Sequence, residues 1–233
     1  MPSRHPEHRV PVAVNVQHWR DLTFLHWPIE AARLQALIPP DLAVDTFEDA
    51  AWVSITPFRM QYFGAPEGAF ALVPDFTEVN VRTYVRDEDG HDGVWFFSLE
   101  CSRLPVTVLL RQLGLPYQRS TTDQRERGRV VQYTSRRRAG HGWFGAEVEA
   151  GERIEDPSPL EDFLTGRWNG YSHAWGRIWR TPIEHEPWPL HTARARCDPA
   201  ALFAANALPH PHAPPVVHFS PLVHVRIGMP RPL

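Results

Sequence analysis

Two stretches, FTEVNVRTYV (76–85) and VWFFSLEC (94–101), decide how this chain folds. In the first, Thr77, Val79, Val81, Thr83 and Val85 share one face and Phe76, Glu78, Asn80, Arg82 and Tyr84 the other, the period of two that defines a strand. The second puts Val94, Phe96, Ser98 and Glu100 on one side. The polar run RDEDGHDG between them reads as a turn, so the pair is an antiparallel hairpin. If the pairing register is even, Ser98 and Glu100 face the Glu78 row.

Alternation continues outward in both directions. LAVDTF (42–47) and AWVSITPFRM (51–60) read as strands about the turn Glu48-Asp49, and RVVQYTSR (129–136) with WFGAEVEA (143–150) as a second pair. The Trp-rich run from Tyr171 to Glu186 is strand-like. In VVHFSPLVHVRIG (216–228), Val217, Phe219, Val223 and Val225 oppose His218, Ser220, His224 and Arg226. Four short helices are predicted: from Pro28 through IEAARLQALI to Pro39-Pro40, PVTVLLRQLG (105–114) ending at Gly114, SPLEDFLTGR (158–167) with a Ser158/Glu161 capping box, and PAALFAANA (199–207). The Gly/Pro/Ala stretch 64–74 is long enough for a lid. About eight to ten strands, three or four helices and no linker tract describe a mainly β protein with peripheral helices, a single domain over residues 1–233.

The chain has 233 residues, 42% of them hydrophobic and 22% charged, enough to bury a core. A net charge of -3 offers no field for nucleic acid. No apolar run is long enough for a membrane span, the first twenty residues lack the apolar centre of a signal peptide, and Cys101 and Cys197 form no CxxC pair. The expectation is a cytoplasmic protein with neither nucleic-acid nor membrane partners. All 24 basic residues are arginine. Without lysine there is no lysine imine, no lysine-anchored pyridoxal phosphate and no P-loop.

Several motifs fail on context. Gly140, Gly142 and Gly145 match GxGxxG, but the AEVEAGERIEDPSP run that follows alternates and breaks, giving no helix to receive a pyrophosphate. GYSHA (170–174) lacks the last glycine of a nucleophile elbow. Arg136-Arg137-Arg138 reads as a solvated strand edge. Glu184, His185, Glu186 and His191, like His210, His212 and His218, sit in proline-broken segments without metal-ligand spacing, so neither metal nor cofactor is expected. The row Glu78, Asn80, Arg82 and Tyr84 remains: alternation alone leaves open whether it faces water, where surface pairs contribute little, or lines a cavity.

At these residues the sequence resembles the uncharacterised YqjF-like bacterial proteins of the acetoacetate decarboxylase-like superfamily. The resemblance runs in order through HWRDLTFLHWPI (18–29), LIPPDLAVDTFEDAAWVSITPF (37–58), FTEVNVRTYV, GVWFFSLE (93–100), LPY (115–117), PLEDFLTGRWNGYS (159–172) and IEHEPWPLHTA (183–193). It implies a closed, strongly curved antiparallel β-barrel or cone around a ligand-sized cavity, with Glu78 at the position of a glutamate that faces substrate in the decarboxylases. Their catalytic lysine has no counterpart here.

The expected function is binding of a small carbonyl, carboxylate or amphipathic ligand in a cavity lined by Glu78, Arg82, Tyr84 and aromatic residues, with Asn80, Ser98, Glu100 and Tyr133 as further ligand contacts. The alternative is a lysine-independent acid–base enzyme for a small keto or carboxylate compound. There Glu78 moves the proton, Arg82 clamps the anionic group, and Tyr84 or Tyr133 hydrogen-bonds the developing enolate. A structural or partner-binding role is the third reading.

Overall fold

The computed structural model describes residues 2–65, 71 and 73–233. In chain order the elements are β1 (Asn15–Ile29), α1 (Ala31–Gln35), β2 (Ala43–Val44), β3 (Thr46–Phe47), β4 (Ala50–Gly64), β5 (Phe76–Arg86), β6 (Asp92–Cys101) and α2 (Leu104–Gln112). There follow β7 (Tyr117–Arg127), β8 (Val130–Arg137), β9 (Trp143–Arg153), α3 (Pro159–Thr165), β10 (Asn169–Ala174), β11 (Arg177–Glu184), β12 (His191–Asp198), α4 (Ala200–Ala204), β13 (Val216–Ile227) and β14 (Arg231–Pro232). The protein is mainly β, with short helices between strands. None of the described helices is long and apolar enough to cross a membrane.

The strands join in the order β14-β11-β10-β6-β7-β8-β9-β12-β13-β1-β4-β5-β2, with β3 on β4 and further pairings of β5 with β6 and β11 with β13. Strand β6 is the branch point. One edge pairs antiparallel with β5, while the other pairs parallel with β10 at Val94–Trp95 and with β7 at Leu99–Cys101.

The β5–β6 hairpin forms as its alternation predicts, and Ser158 and Glu161 close the capping box of α3. The first expected helix is largely displaced. β1 runs through Pro28 to Ile29, and only residues 31–35 are helical. Pro28 lies opposite Trp52 of β4, while Trp27 and Ile29 enter the core, so burial of those side chains overrides the helix-start signal. Strands β1, β7, β12 and the two-residue β14 add to the expected set, and the described count is fourteen. Most of the candidate lid at 64–74 (residues 66–70 and 72) lies outside the described residues.

The main core lies between two layers. Leu25 and Trp27 of β1, Val53 and Ile55 of β4, and Val79 and Val81 of β5 pack against Val131, Phe144 and Val148 of β8 and β9 and Leu202 and Phe203 of α4. Alternation turns the intervening residues of β1, β4 and β5 to the opposite face, which is buried as well.

Candidate functional site

That second face spans five adjacent strands. Opposed residues in an antiparallel pair share a face, so the ladder registers place His218 and Ser220 of β13, Leu22, Phe24 and His26 of β1, and Trp52, Ser54, Thr56 and Phe58 of β4 on it. Glu78, Asn80, Arg82 and Tyr84 of β5 and Val94, Phe96, Leu99 and Cys101 of β6 complete it. Phe163 and Leu164 of α3, Val106 of α2, Tyr117, and Trp188 and Leu190 cover it. Seven buried polar atoms on this face have no protein partner: Asn80 Oδ1, Arg82 Nε, Thr56 Oγ1, Trp52 Nε1, His26 Nε2, His218 Nδ1 and Ser220 Oγ. A buried polar atom without a partner costs about 1–3 kcal/mol, so seven on one interior face make it the candidate site.

Glu78 lies at one end, 3% exposed, among Phe58, Met60, Phe76, Leu99 and Cys101. Tyr117 Oη donates to its Oε2 at 2.9 Å, and Asn80 supplies a second hydrogen bond. Burial pushes its carboxyl up to about 7, against the opposing pull of these two donors. At neutral pH the group is therefore poised between acid and base.

Arg82 lies four residues along the same strand, about 13 Å away at Cα, and makes no ion pair with Glu78. No carboxylate among the described residues pairs with this guanidinium, which is 7% exposed and stands 5.4 Å over the ring of Phe24. It hydrogen-bonds Tyr84, and burial lowers its pKa. Tyr84 Oη donates to the Leu164 carbonyl at 2.8 Å and meets Ser54 Oγ at 2.6 Å and His26 Nδ1 at 3.0 Å. Burial, then His218 and Arg82, hold His26 well below the usual histidine range. Burial also takes His185, wedged between Trp168 and Trp188, down to about 4.

The remaining expected contacts fall on the other face. β6 bulges between the partners of Val81 and Arg82, leaving Phe97 unpaired. Ser98 and Glu100 therefore oppose Val81 and Val79, and Leu99 and Cys101 oppose Asn80 and Glu78. Glu100 instead accepts from Arg137 Nε and Nη2 at 2.9 and 2.7 Å and from Ser120 Oγ at 2.5 Å. Arg137, read as part of a solvated run, thus turns inward, because a fully buried carboxylate needs a counter-charge. Tyr133 donates to the Asp21 carbonyl and lies 3.0 Å from Thr23 Oγ1, within the main core layer.

His26, Ser54, Thr56, Tyr117 and His218 are the residues that sequence reading missed. His218 and Ser220 did stand on the polar side of an alternating strand; His26 gave no such signal, because the bulge at Asp21, where φ is 48°, interrupts the pattern of β1. The glycine motif at 140–145 is a β-hairpin connection, with Gly140 at φ 80°, and Ser172 donates to the Leu113 carbonyl from strand β10.

Comparison with known proteins matches this architecture. The chain is 32% identical over 215 residues to "Uncharacterized protein YqjF" of Bacillus subtilis (strain 168), covering 88% of this chain and 86% of that one. Among solved structures, an acetoacetate decarboxylase-like enzyme from Sphingomonas wittichii RW1 superposes with a TM-score of 0.68 at 13% identity, over 95% of this chain and 93% of its own. Acetoacetate decarboxylase from Legionella pneumophila gives 0.68 at 15% identity, over 100% and 92%. The enduracididine biosynthesis enzyme MppR, complexed with pyruvate, gives 0.67 at 11% identity, over 97% and 93%. At these identities the structures establish the fold, which is acetoacetate decarboxylase-like. Residues 16–224 match the DUF2071 family, described as an uncharacterised conserved protein, and the chain belongs to that family.

Proposed function

We propose that this protein is a small-molecule-binding barrel that closes around a small carboxylate and performs acid–base chemistry on it without an imine. The observation that carries the reading is Arg82, a buried guanidinium with no carboxylate partner among the described residues. An isolated buried charge is costly to keep, and an anionic ligand removes that cost. MppR, of similar fold, is described in complex with pyruvate, so a 2-oxo acid is the natural first probe.

In this reading Arg82 holds the carboxylate. Glu78, near neutrality in its protonation, takes a proton from the carbon beside the carbonyl. The C–H electron pair becomes the enolate double bond, and the charge collects on the carbonyl oxygen. Thr56 lies opposite Asn80, midway between the two, and its partnerless hydroxyl donates to that oxygen. The absence of lysine removes the imine route, so the enolate is stabilised by hydrogen bonds alone.

Pyruvate in D2O tests this directly. The wild-type protein should accelerate loss of the methyl proton signal, Glu78→Gln should abolish the acceleration, and Arg82→Met should raise the pyruvate concentration required. Binding without exchange would leave a carrier. Neither binding nor exchange would remove the proposal.

A further inference from the structure

The interior face also carries two histidines whose protons can be assigned by counting. Four contacts join this group: His26 Nδ1 to Ser54 Oγ at 2.6 Å and to Tyr84 Oη at 3.0 Å, Ser54 Oγ to Tyr84 Oη at 2.6 Å, and Tyr84 Oη to the Leu164 carbonyl at 2.8 Å. The three shortest need one hydrogen each, and the longest shares the hydrogen on Nδ1. The carbonyl has none, and the two hydroxyls supply two, so the third must be on His26 Nδ1. Tyr84 donates to Leu164, Ser54 to Tyr84, and His26 to Ser54. Its ring being neutral, Nε2 is bare, and that atom is buried with no partner.

His218 gives the same result from the other side. Its Nε2 lies 3.2 Å from Glu161 Oε1, and that carboxylate is held below its usual range chiefly by the Ser158 hydrogen bonds at the helix cap, with a further contribution from His218 itself, so it can only accept. Nε2 of His218 therefore carries the proton, and burial keeps the ring neutral, leaving Nδ1 bare and also without a partner. The two rings stand 5.8 Å apart between centroids, on the adjacent strands β1 and β13. Two bare ring nitrogens, each set by a separate hydrogen-bond chain, lie buried on the same face, that of His26 within the field of Arg82.

We propose that His218 and His26 are specificity-determining residues: a hydroxyl group of the ligand gives its one hydrogen to the bare Nδ1 of His218, with His26 beside it, so that the site prefers a small hydroxylated acid, its carboxylate on Arg82, to the same acid without the hydroxyl. The inference rests on the reading of this face as a carboxylate site. A hydroxyl fits better than a cation. Arg82 and His26 share Tyr84 as a hydrogen-bond partner, and that nearby positive charge opposes an ammonium group or a metal ion between the imidazoles. Leaving a buried acceptor unpaired is also what lets such a site discriminate against an analogue without the hydroxyl.

Two measurements test this. Calorimetric titration with propionate, lactate and 3-hydroxypropionate compares ligands that differ only in the hydroxyl. At least one hydroxy acid should bind tenfold or more tighter than propionate, and His218→Phe should erase the difference while propionate still binds. Equal affinity for all three acids, with loss on Arg82→Met, would overturn this inference and leave the carboxylate site standing. No binding of any acid would overturn both. Independently of ligand and variants, nitrogen-15 NMR of the wild-type protein at pH 7 should show the Nδ1–H tautomer at His26 and the Nε2–H tautomer at His218. The opposite tautomer or an imidazolium at either, or a stoichiometric transition metal bound to both, would overturn the assignment.

Discussion

Tyr117 reaches across from the start of β7 to donate to Glu78 at 2.9 Å, the contact that joins the parallel β6–β7 junction to the interior face. It holds the carboxyl in a pocket where burial still raises its pKa from 4.5 to about 7. A group whose folded pKa lies above its unfolded value lends stability below about pH 4.5 and loses it as pH rises through 7. Glu78→Gln cannot lose a proton, so its stability relative to wild type should grow by about 3 kcal/mol between pH 4.5 and 7.5. Urea melts at stepped pH read this difference. A constant offset across that range would mean that Glu78 titrates normally.

Arg82→Met should change stability by less than about 1 kcal/mol, because it removes a buried charge that no carboxylate compensates. Had Glu78 and Arg82 been paired, the same change would cost about 3 kcal/mol or more. The double variant Arg82→Met/Glu78→Gln should be additive within about 0.5 kcal/mol. Chemical denaturation of all four proteins measures the coupling.

The opposite outcome is expected on the other face. Arg137→Met leaves Glu100, with a fully buried side chain, holding only Ser120, and should cost about 3–5 kcal/mol. Arg137 also donates to the Ala205 carbonyl and to Asn206, so the end of α4 should loosen with it. Denaturant midpoints give the cost, and amide exchange at residues 200–206 reports the local change.

The hairpin at the centre of the fold was legible because its two faces differ in composition at every step: Thr and Val on one side, Glu, Asn, Arg and Tyr on the other. What alternation could not supply was the register. A single bulged residue, Phe97, exchanges Ser98 and Glu100 for Leu99 and Cys101 beside the Glu78 row. Strand β7 escaped notice for a different reason. Ser120 and Gln124 are its buried positions after Tyr117, so the sequence shows no apolar period. In β1, Leu22 to Trp27 are buried on both faces, so Thr23 and His26 fall among apolar neighbours and no polar side stands out. The histidines of the site belong to these less legible strands or pair with them.

Borohydride reduction in the presence of pyruvate should leave no adduct on any internal peptide, since no lysine is available to form the imine. Peptide mass spectrometry after digestion reads this. A reduced adduct mapped inside the chain would require a different nucleophile from any assigned to the interior face.

Strand β1 is held on one edge by β4 and on the other by β13, from Asn15 opposite Ile227 to His26 opposite Val216. During synthesis at about 5–20 residues per second, the second edge stays open for about 10–40 s after β1 leaves the ribosome. The residues exposed meanwhile include the apolar Leu22, Phe24, Leu25 and Trp27, an invitation to pairing with other chains. The interior face can be completed only when the last long strand arrives, because that strand brings His218. Any truncation before β13 should therefore yield an aggregating chain rather than a weakened binder.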